Sequence, residues 1–290
     1  MGRSRVLKID SIIDALDFYN INNTDYRQKC YECVDSINNK NQNYIVDKIY
    51  NILYFKKIDS KKEQIKLIEN LLQTKIHPFV TNILVLLGYN IHKNNFIKYN
   101  LDSNQIYLHK KRVKERLLAD IYERGYEGLR IDEMVFTSCF INIKLIEVGR
   151  LQFEYAKINP INNVKEDCIK IHIPKGDKLN IEYVIKSISN SRRLIKRFFD
   201  LDSYEYYCKS WLLSKQVKQL IDSTSNIYKF QNLFNIIEGK NCLEDILNFV
   251  FNTQKCKDFN DLPENTHLQI KIKESLLNKE TFKLGIGILK

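Results

Sequence analysis

The sequence contains no apolar run that approaches the length of a membrane span, so a spanning helix is not expected. Arg3 and Arg5 lie near its start, but no apolar signal region follows them, and position six is Val6 rather than the Ser or Thr of a myristoylation signal. A cytoplasmic location is the expectation. No fixed-period repeat is present, which argues against a helical solenoid, and no glycine-rich phosphate-loop signature occurs. The seven cysteines are odd in number and scattered without paired spacings, so reduced, mostly buried thiols are expected rather than disulfides. Cys30 and Cys33 form a lone C-x-x-C inside a helical pattern, with no second Cys/His pair at zinc spacing, and no metal site is expected there.

What is present is a chain of 290 residues, long enough for two domains, with a formal charge of +11. Such an excess raises the question of an acidic partner, but it is spread over both halves. The one dense cluster, Lys110, Lys111, Arg112, Lys114 and Arg116, would wrap around a helix and is interrupted by Glu115, which reads as a solvated face rather than a nucleic-acid site.

Residues 1 to about 130 read as helices joined by Asn- and Lys-rich turns. Ile9, Ile12, Ile13 and Leu16 form one apolar stripe, Ile45, Ile49, Ile52 and Leu53 a second, and Ile65, Ile68, Leu71 and Leu72 a third. Phe79 to Leu87 reads as a buried helix, Ile91 to Leu101 as irregular, and Ser103 to Arg124 as a long helix. Gly125 with Gly128 marks the expected boundary, giving domains 1–130 and 131–290. Ile131 to Val148 is again helical in pattern.

The second half mixes strands and helices, which points to an all-helical N-terminal domain joined to an α/β C-terminal one. Leu151, Phe153 and Tyr155 alternate with Gln152, Glu154 and Ala156, and Ile169, Ile171 and Ile173 alternate with Lys170 and His172. They read as a neighbouring strand pair. Pro174 ends the second run, Gly176 permits a turn, and Asn180 is the expected N-cap of a helix from Ile181 to Phe199. A strand feeding a helix start beside Lys175 and Lys178 offers unpaired N–H groups and positive charge to an anion, although many ordinary connections share that pattern. Tyr204 to Leu213 reads as a third strand, Phe234 to Ile237 and Phe282 to Leu289 as further ones, and Asp261-Leu262-Pro263 as the opening of a helix running to about Leu277.

Five short blocks then occur in order: Gly149-Arg150-Leu151-Gln152-Phe153-Glu154; His172-Ile173-Pro174 with Gly176 and Leu179; Cys208 with Ser210-Trp211-Leu212-Leu213; Ser225-Asn226-Ile227 with Phe230; and Leu262-Pro263 with Thr266, Leu268 and Gln269. Through them the C-terminal half resembles the bacterial two-domain acyltransferases, which join a helical N-acyltransferase N-terminal domain to a GNAT-like C-terminal domain. The resemblance implies an α+β fold whose two central strands splay apart, with the pantetheine arm of acetyl-CoA or another acyl-CoA in the gap. It implies a cofactor site made by Ile173, Pro174, Lys175, Gly176, Asp177, Lys178, Leu179 and Asn180, with Ser210, Trp211 and Asn226 shaping the pocket.

The chemistry implied is aminolysis of a thioester by a small-molecule or peptide amine, which needs a base for the amine and a donor for the oxyanion. Glu154 and His172 are the candidate bases, since alternation turns both away from the apolar residues of their own strands. A hydrogen bond that merely secures the sheet is the competing reading. Cys208 is a candidate nucleophile, though direct transfer needs none, and Tyr206, with Tyr204 and Tyr207, a candidate proton donor to the leaving thiolate. The alternative functions are a catalytically inactive ligand-binding or partner-docking module and, less favoured, a basic nucleic-acid binder.

Overall fold

In the computed structural model the described residues are 6–73, 75–123, 128–159, 161, 164–174, 178–253 and 256–290. By internal packing the chain divides into two units, Met1–Glu147 and Val148–Lys290.

The first unit is built from helices α1 (Ile9–Phe18), α2 (Thr24–Asn39), α3 (Asn43–Tyr54), α4 (Lys61–Leu72), α5 (Val80–Leu87), α6 (Tyr89–Lys98), α7 (Ser103–Glu123) and α8 (Ile131–Ile141). Ile12 and Leu16 of the first stripe, Ile45, Ile49 and Leu53 of the second and Ile68 of the third are all buried in one core. Helix α5 is apolar on nearly every side because it is buried over most of its length. Helix α6 occupies a stretch expected to be irregular. It lacks an aliphatic stripe, and instead buries His92 and Phe96, one turn apart, while Asn95 donates to the Ile141 carbonyl at 2.8 Å.

Helix α8 packs with α4, α5 and α7, so the division between the units falls after it. The helical pattern read through to Val148 in fact stops at Ile141, and Leu145–Val148 is a strand, β1. The stop is a Schellman turn: Lys144 donates to Cys139 O at 2.9 Å and Ile143 to Phe140 O at 3.2 Å. Ile143 sits at φ +52°, where glycine is usual, and its side chain is buried. A β-branched residue in the glycine position left no stop signal to read.

The remaining elements are β2 (Leu151–Ile158), β3 (Lys165–His172), α9 (Ile181–Phe199), β4 (Glu205–Ser210), α10 (Lys215–Leu220), α11 (Asn226–Gln231), β5 (Phe234–Asn241), α12 (Leu243–Val250), α13 (His267–Leu277) and β6 (Lys283–Leu289). The sheet order is β1-β2-β3-β4-β6-β5. Strands β2 and β3, β4 and β6, and β5 and β6 are antiparallel, while β3 and β4 are parallel. A parallel pair needs a crossover, and α9 supplies it. Tyr155 stacks on Phe199 of α9 at 5.5 Å, and Tyr206 Oη lies 2.7 Å from Ser191 Oγ of α9. The face carrying Phe153, Tyr155, Ile169, Ile171 and Tyr206 is therefore the one α9 covers.

Strand β5 runs on to Asn241 rather than ending at Ile237, and two further boundaries differ from the sequence reading. Strand β4 ends at Ser210, whose Oγ accepts from Leu212 N–H at 3.1 Å and starts a 3-10 turn over Trp211–Leu213. A Cβ on Gly285, which pairs with Ser210, would come within 2.2 Å of Leu213 O, so the bare glycine is what lets this turn lie against the sheet. Helix α13 begins at His267, not at Asp261, because Thr266 and Gln269 form a reciprocal capping box. Among the described residues no helix is long and apolar enough to cross a membrane, and no group of three or more His, Cys, Asp or Glu is placed to hold a metal.

Candidate active site

The site begins where a ladder stops. Strands β3 and β4 stay in register from Cys168↔Glu205 to Ile171↔Cys208. Beyond that pair β3 continues to His172 while β4 continues to Ser210, and Lys209 and Ser210 find register partners only on the far side, in Ile286 and Gly285 of β6. Among the described residues the two central strands share no register pair with each other beyond Ile171↔Cys208. Pro174, two residues past β3, has no N–H with which to resume pairing.

On that rim stand the two candidate bases. Gln152 opposes His172 and Glu154 opposes Lys170, so all four side chains share one sheet face. His172 Nε2 lies 2.8 Å from Glu154 Oε2. The carboxylate is nearly enclosed, at 5% side-chain exposure, whereas the imidazole is 32% exposed. An accessible histidine is thereby held in orientation by a buried acid, an arrangement that can receive a proton and share the resulting charge.

Beyond the end of β3 the chain leads to the start of α9. Asn180 caps the helix, its Oδ1 accepting from Glu182 N–H at 2.8 Å and Tyr183 N–H at 3.5 Å. Ile173, Pro174, Leu179 and Asn180 are half-buried and Lys178 is exposed; Lys175, Gly176 and Asp177 lie outside the described residues. One contributor was not anticipated. Arg150 donates from Nη1 to Pro174 O at 2.9 Å and from Nε to Lys178 O at 3.3 Å. It lies in the two-residue connection Gly149-Arg150 between β1 and β2, a tight hairpin turn in which Gly149 takes φ +58°.

Residues 145–289 match the family model of the GNAT-like C-terminal domain. The chain belongs to this GNAT-like family. Among solved structures it is similar to an acyltransferase in complex with decanoyl-CoA, at 15% identity and a TM-score of 0.73, covering 99% of this chain and 89% of that one. It is similar also to an acyltransferase in complex with decanoyl-CoA and teicoplanin, at 14% identity and a TM-score of 0.76, covering 99% and 90%. A third, an acyltransferase mutant in complex with octanoyl-CoA, has a TM-score of 0.75 at 14% identity, covering 99% and 90%. At such identities the likeness is one of fold. A comparison with curated protein sequences finds no match.

Within the GNAT-like domain neither Cys208 nor Tyr206 shares a sheet face with the pair. Cys208 is in register with Ile171, on the face that α9 covers, opposite to His172. It is 1% exposed, and burial pushes its thiol up to about 12, so it is packed as a small apolar residue. Tyr206 shares that face; burial raises its phenol, and its hydroxyl is engaged with Ser191 and, at 3.5 Å, with Tyr204. Ser210 is occupied as the cap of the 3-10 turn. Trp211 is half-buried against the core made by Val217, Ile246, Phe251 and Leu284. Asn226 is the exposed first residue of α11, and the cap of that helix is Ser225, one position earlier.

Proposed function

We propose that this protein is an acyl-CoA-dependent N-acyltransferase that moves the acyl group of a CoA thioester directly to an amine. The observation that carries the reading is the Glu154–His172 pair standing on the rim where β3 and β4 of a GNAT-like sheet cease to pair. The acyl-CoA complexes formed by its structural neighbours support the choice of co-substrate. The pantetheine arm lies along the strand edges beyond Ile171 and Cys208 as an added strand would, which brings the thioester to the His172 end. The diphosphate meets the start of α9, where Lys178 and the first N–H groups supply charge and donors.

In the reaction the amine nitrogen attacks the thioester carbonyl, His172 takes the amine proton, and Glu154 stabilises the imidazolium that results. A backbone N–H at the strand edge steadies the oxyanion, and the C–S bond then breaks with departure of the CoA thiolate. No covalent enzyme intermediate is required, so Cys208 has no catalytic task, and Tyr206, on the face opposite His172 and engaged with Ser191, keeps a structural role.

The test is calorimetric titration with CoA, then mass-spectrometric turnover with acetyl-, octanoyl- and decanoyl-CoA against a panel of amines that includes peptides and glycopeptides. One neighbour is held with teicoplanin, which justifies that last class. CoA binding with acyl transfer is expected. CoA binding without transfer to any amine would favour an inactive ligand-binding domain, and absence of binding at millimolar CoA would sink the proposal.

A further inference from the structure

The turn between β1 and β2 reaches into the place where α9 begins. Gly149 is at φ +58°, and a Cβ there would lie 2.6 Å from Ser187 Oγ, so a glycine is needed for the turn to seat on the second turn of α9. The seat is bonded: Arg150 N–H donates to Ser187 Oγ at 2.8 Å, and the Ser187 hydroxyl donates to Tyr183 O at 2.6 Å. From this anchored backbone the guanidinium spans the two residues that flank the β3–α9 connection, Pro174 O on one side and Lys178 O on the other. A planar fork with fixed donor directions suits such a bridge, and an ammonium on a flexible stem does not.

The geometry points to Arg150 as the positioning residue of the cofactor's diphosphate site: it clasps the exit of β3 to the entry of α9 and turns carbonyl oxygens away from the anion. The inference rests on the acyl-CoA reading above. A carbonyl facing a diphosphate would repel it, and Arg150 gives the carbonyls of Pro174 and Lys178 a cation to face instead. In a planar trans peptide the next N–H points opposite to the C=O, so fixing Lys178 O also aims Leu179 N–H away from Arg150. Asn180 N–H donates to the same Lys178 oxygen at 2.9 Å, which locks that peptide from both sides.

The experiment compares the native chain with Arg150→Lys and Arg150→Met, reading CoA affinity by calorimetry and turnover with two donors, octanoyl-CoA and octanoyl-pantetheine. Both donors carry the same thioester, but only the first has a diphosphate. Each variant is expected to lose roughly tenfold or more in CoA affinity, as befits charged hydrogen bonds, with a matching rise in KM for octanoyl-CoA and little change in kcat. For octanoyl-pantetheine, kcat/KM should stay within about twofold of native. Native-like CoA affinity in both variants would overturn the inference, as would equal losses on the two donors, which would mark a general structural role. Full rescue by lysine would overturn it as well, because a point charge would then suffice. Should the arginine variants fail to fold, Ser187→Ala, which releases only the anchor of the turn, is expected to weaken CoA in the same direction, and unchanged affinity there would count against the clasp. Failure of the native chain to bind CoA would bring down the acyl-CoA reading itself, and this inference with it.

Discussion

The helical unit and the sheet unit treat histidine in opposite ways. In the first, His92 and His109 are 0% and 3% exposed, with ring centres 5.7 Å apart and Phe18, Phe96 and Phe140 around them. His92 Nδ1 is hydrogen-bonded to Tyr19 Oη at 2.9 Å, while His92 Nε2 and His109 Nδ1 are buried and meet no hydrogen-bond partner among the described residues. Burial holds both imidazoles well on the neutral side, His109 down to about 4. In the second unit His172 is partly open to solvent and has a buried carboxylate beside it. Burial that outweighs the nearby Glu147 charge makes His109 a packing element that resists protons, whereas His172 is partly exposed and has its acid partner in hydrogen-bond contact.

The largest effect that would break this contrast is loss of activity. His172→Ala should lower kcat by on the order of 100-fold or more, and Glu154→Gln by a smaller factor, with CoA affinity nearly intact. His109→Gln should leave turnover close to native. If His172→Ala keeps full rate in the mass-spectrometric assay, the assignment of the base is wrong.

Next in size is the response to acid. The usual histidine value, about 6.5, applies to the unfolded chain, and the folded value of His109 is lower. The unfolded state therefore binds more protons below pH 6.5, so stability is fully present above that pH and falls as pH drops through the folded value near 4. For His109 the loss is on the order of 3 kcal/mol by pH 4, and His92 adds to it in the same direction. Urea denaturation from pH 7 to 4, followed by helical signal, should show this slope in the native chain and a shallower one in His109→Gln. An identical slope in the variant would remove the helical unit's histidines from the explanation.

How much of this was written in the sequence depended on whether a residue acts through its own period or through a partner far along the chain. Helix α9 was legible to its ends because Asn180 caps it and its buried face keeps a helical period, and alternation alone put Glu154 and His172 on one face of two strands that do pair. The stop after α8 was hidden by Ile143 at a glycine position, and α6 was hidden because its buried residues are His92 and Phe96 rather than aliphatic. The Arg150 clasp was illegible for another reason: its acceptors are backbone carbonyls, which no side-chain pattern encodes. Cys208 was placed by register, since its pairing with Ile171 turns it away from His172.

Smaller effects sharpen the contrast. Tyr19→Phe removes the hydrogen-bond partner of His92 Nδ1 and leaves a buried polar atom unpaired, which should cost roughly 1–3 kcal/mol with turnover unchanged. Equal stability would mean that the aromatic packing, not the hydrogen bond, holds His92 in place.

The smallest expected effect is that of Cys208→Ala. Direct transfer leaves a thiol with no task, and this thiol is sealed, driven toward its neutral form, and on the face opposite His172. Turnover should therefore stay within about twofold of native, while removal of one buried sulfur should cost on the order of 1 kcal/mol. A large loss of kcat without loss of folding, together with a trapped acyl adduct on Cys208 in the native chain, would replace direct transfer by a covalent route and would make the Glu154–His172 pair the wrong place to look for the chemistry.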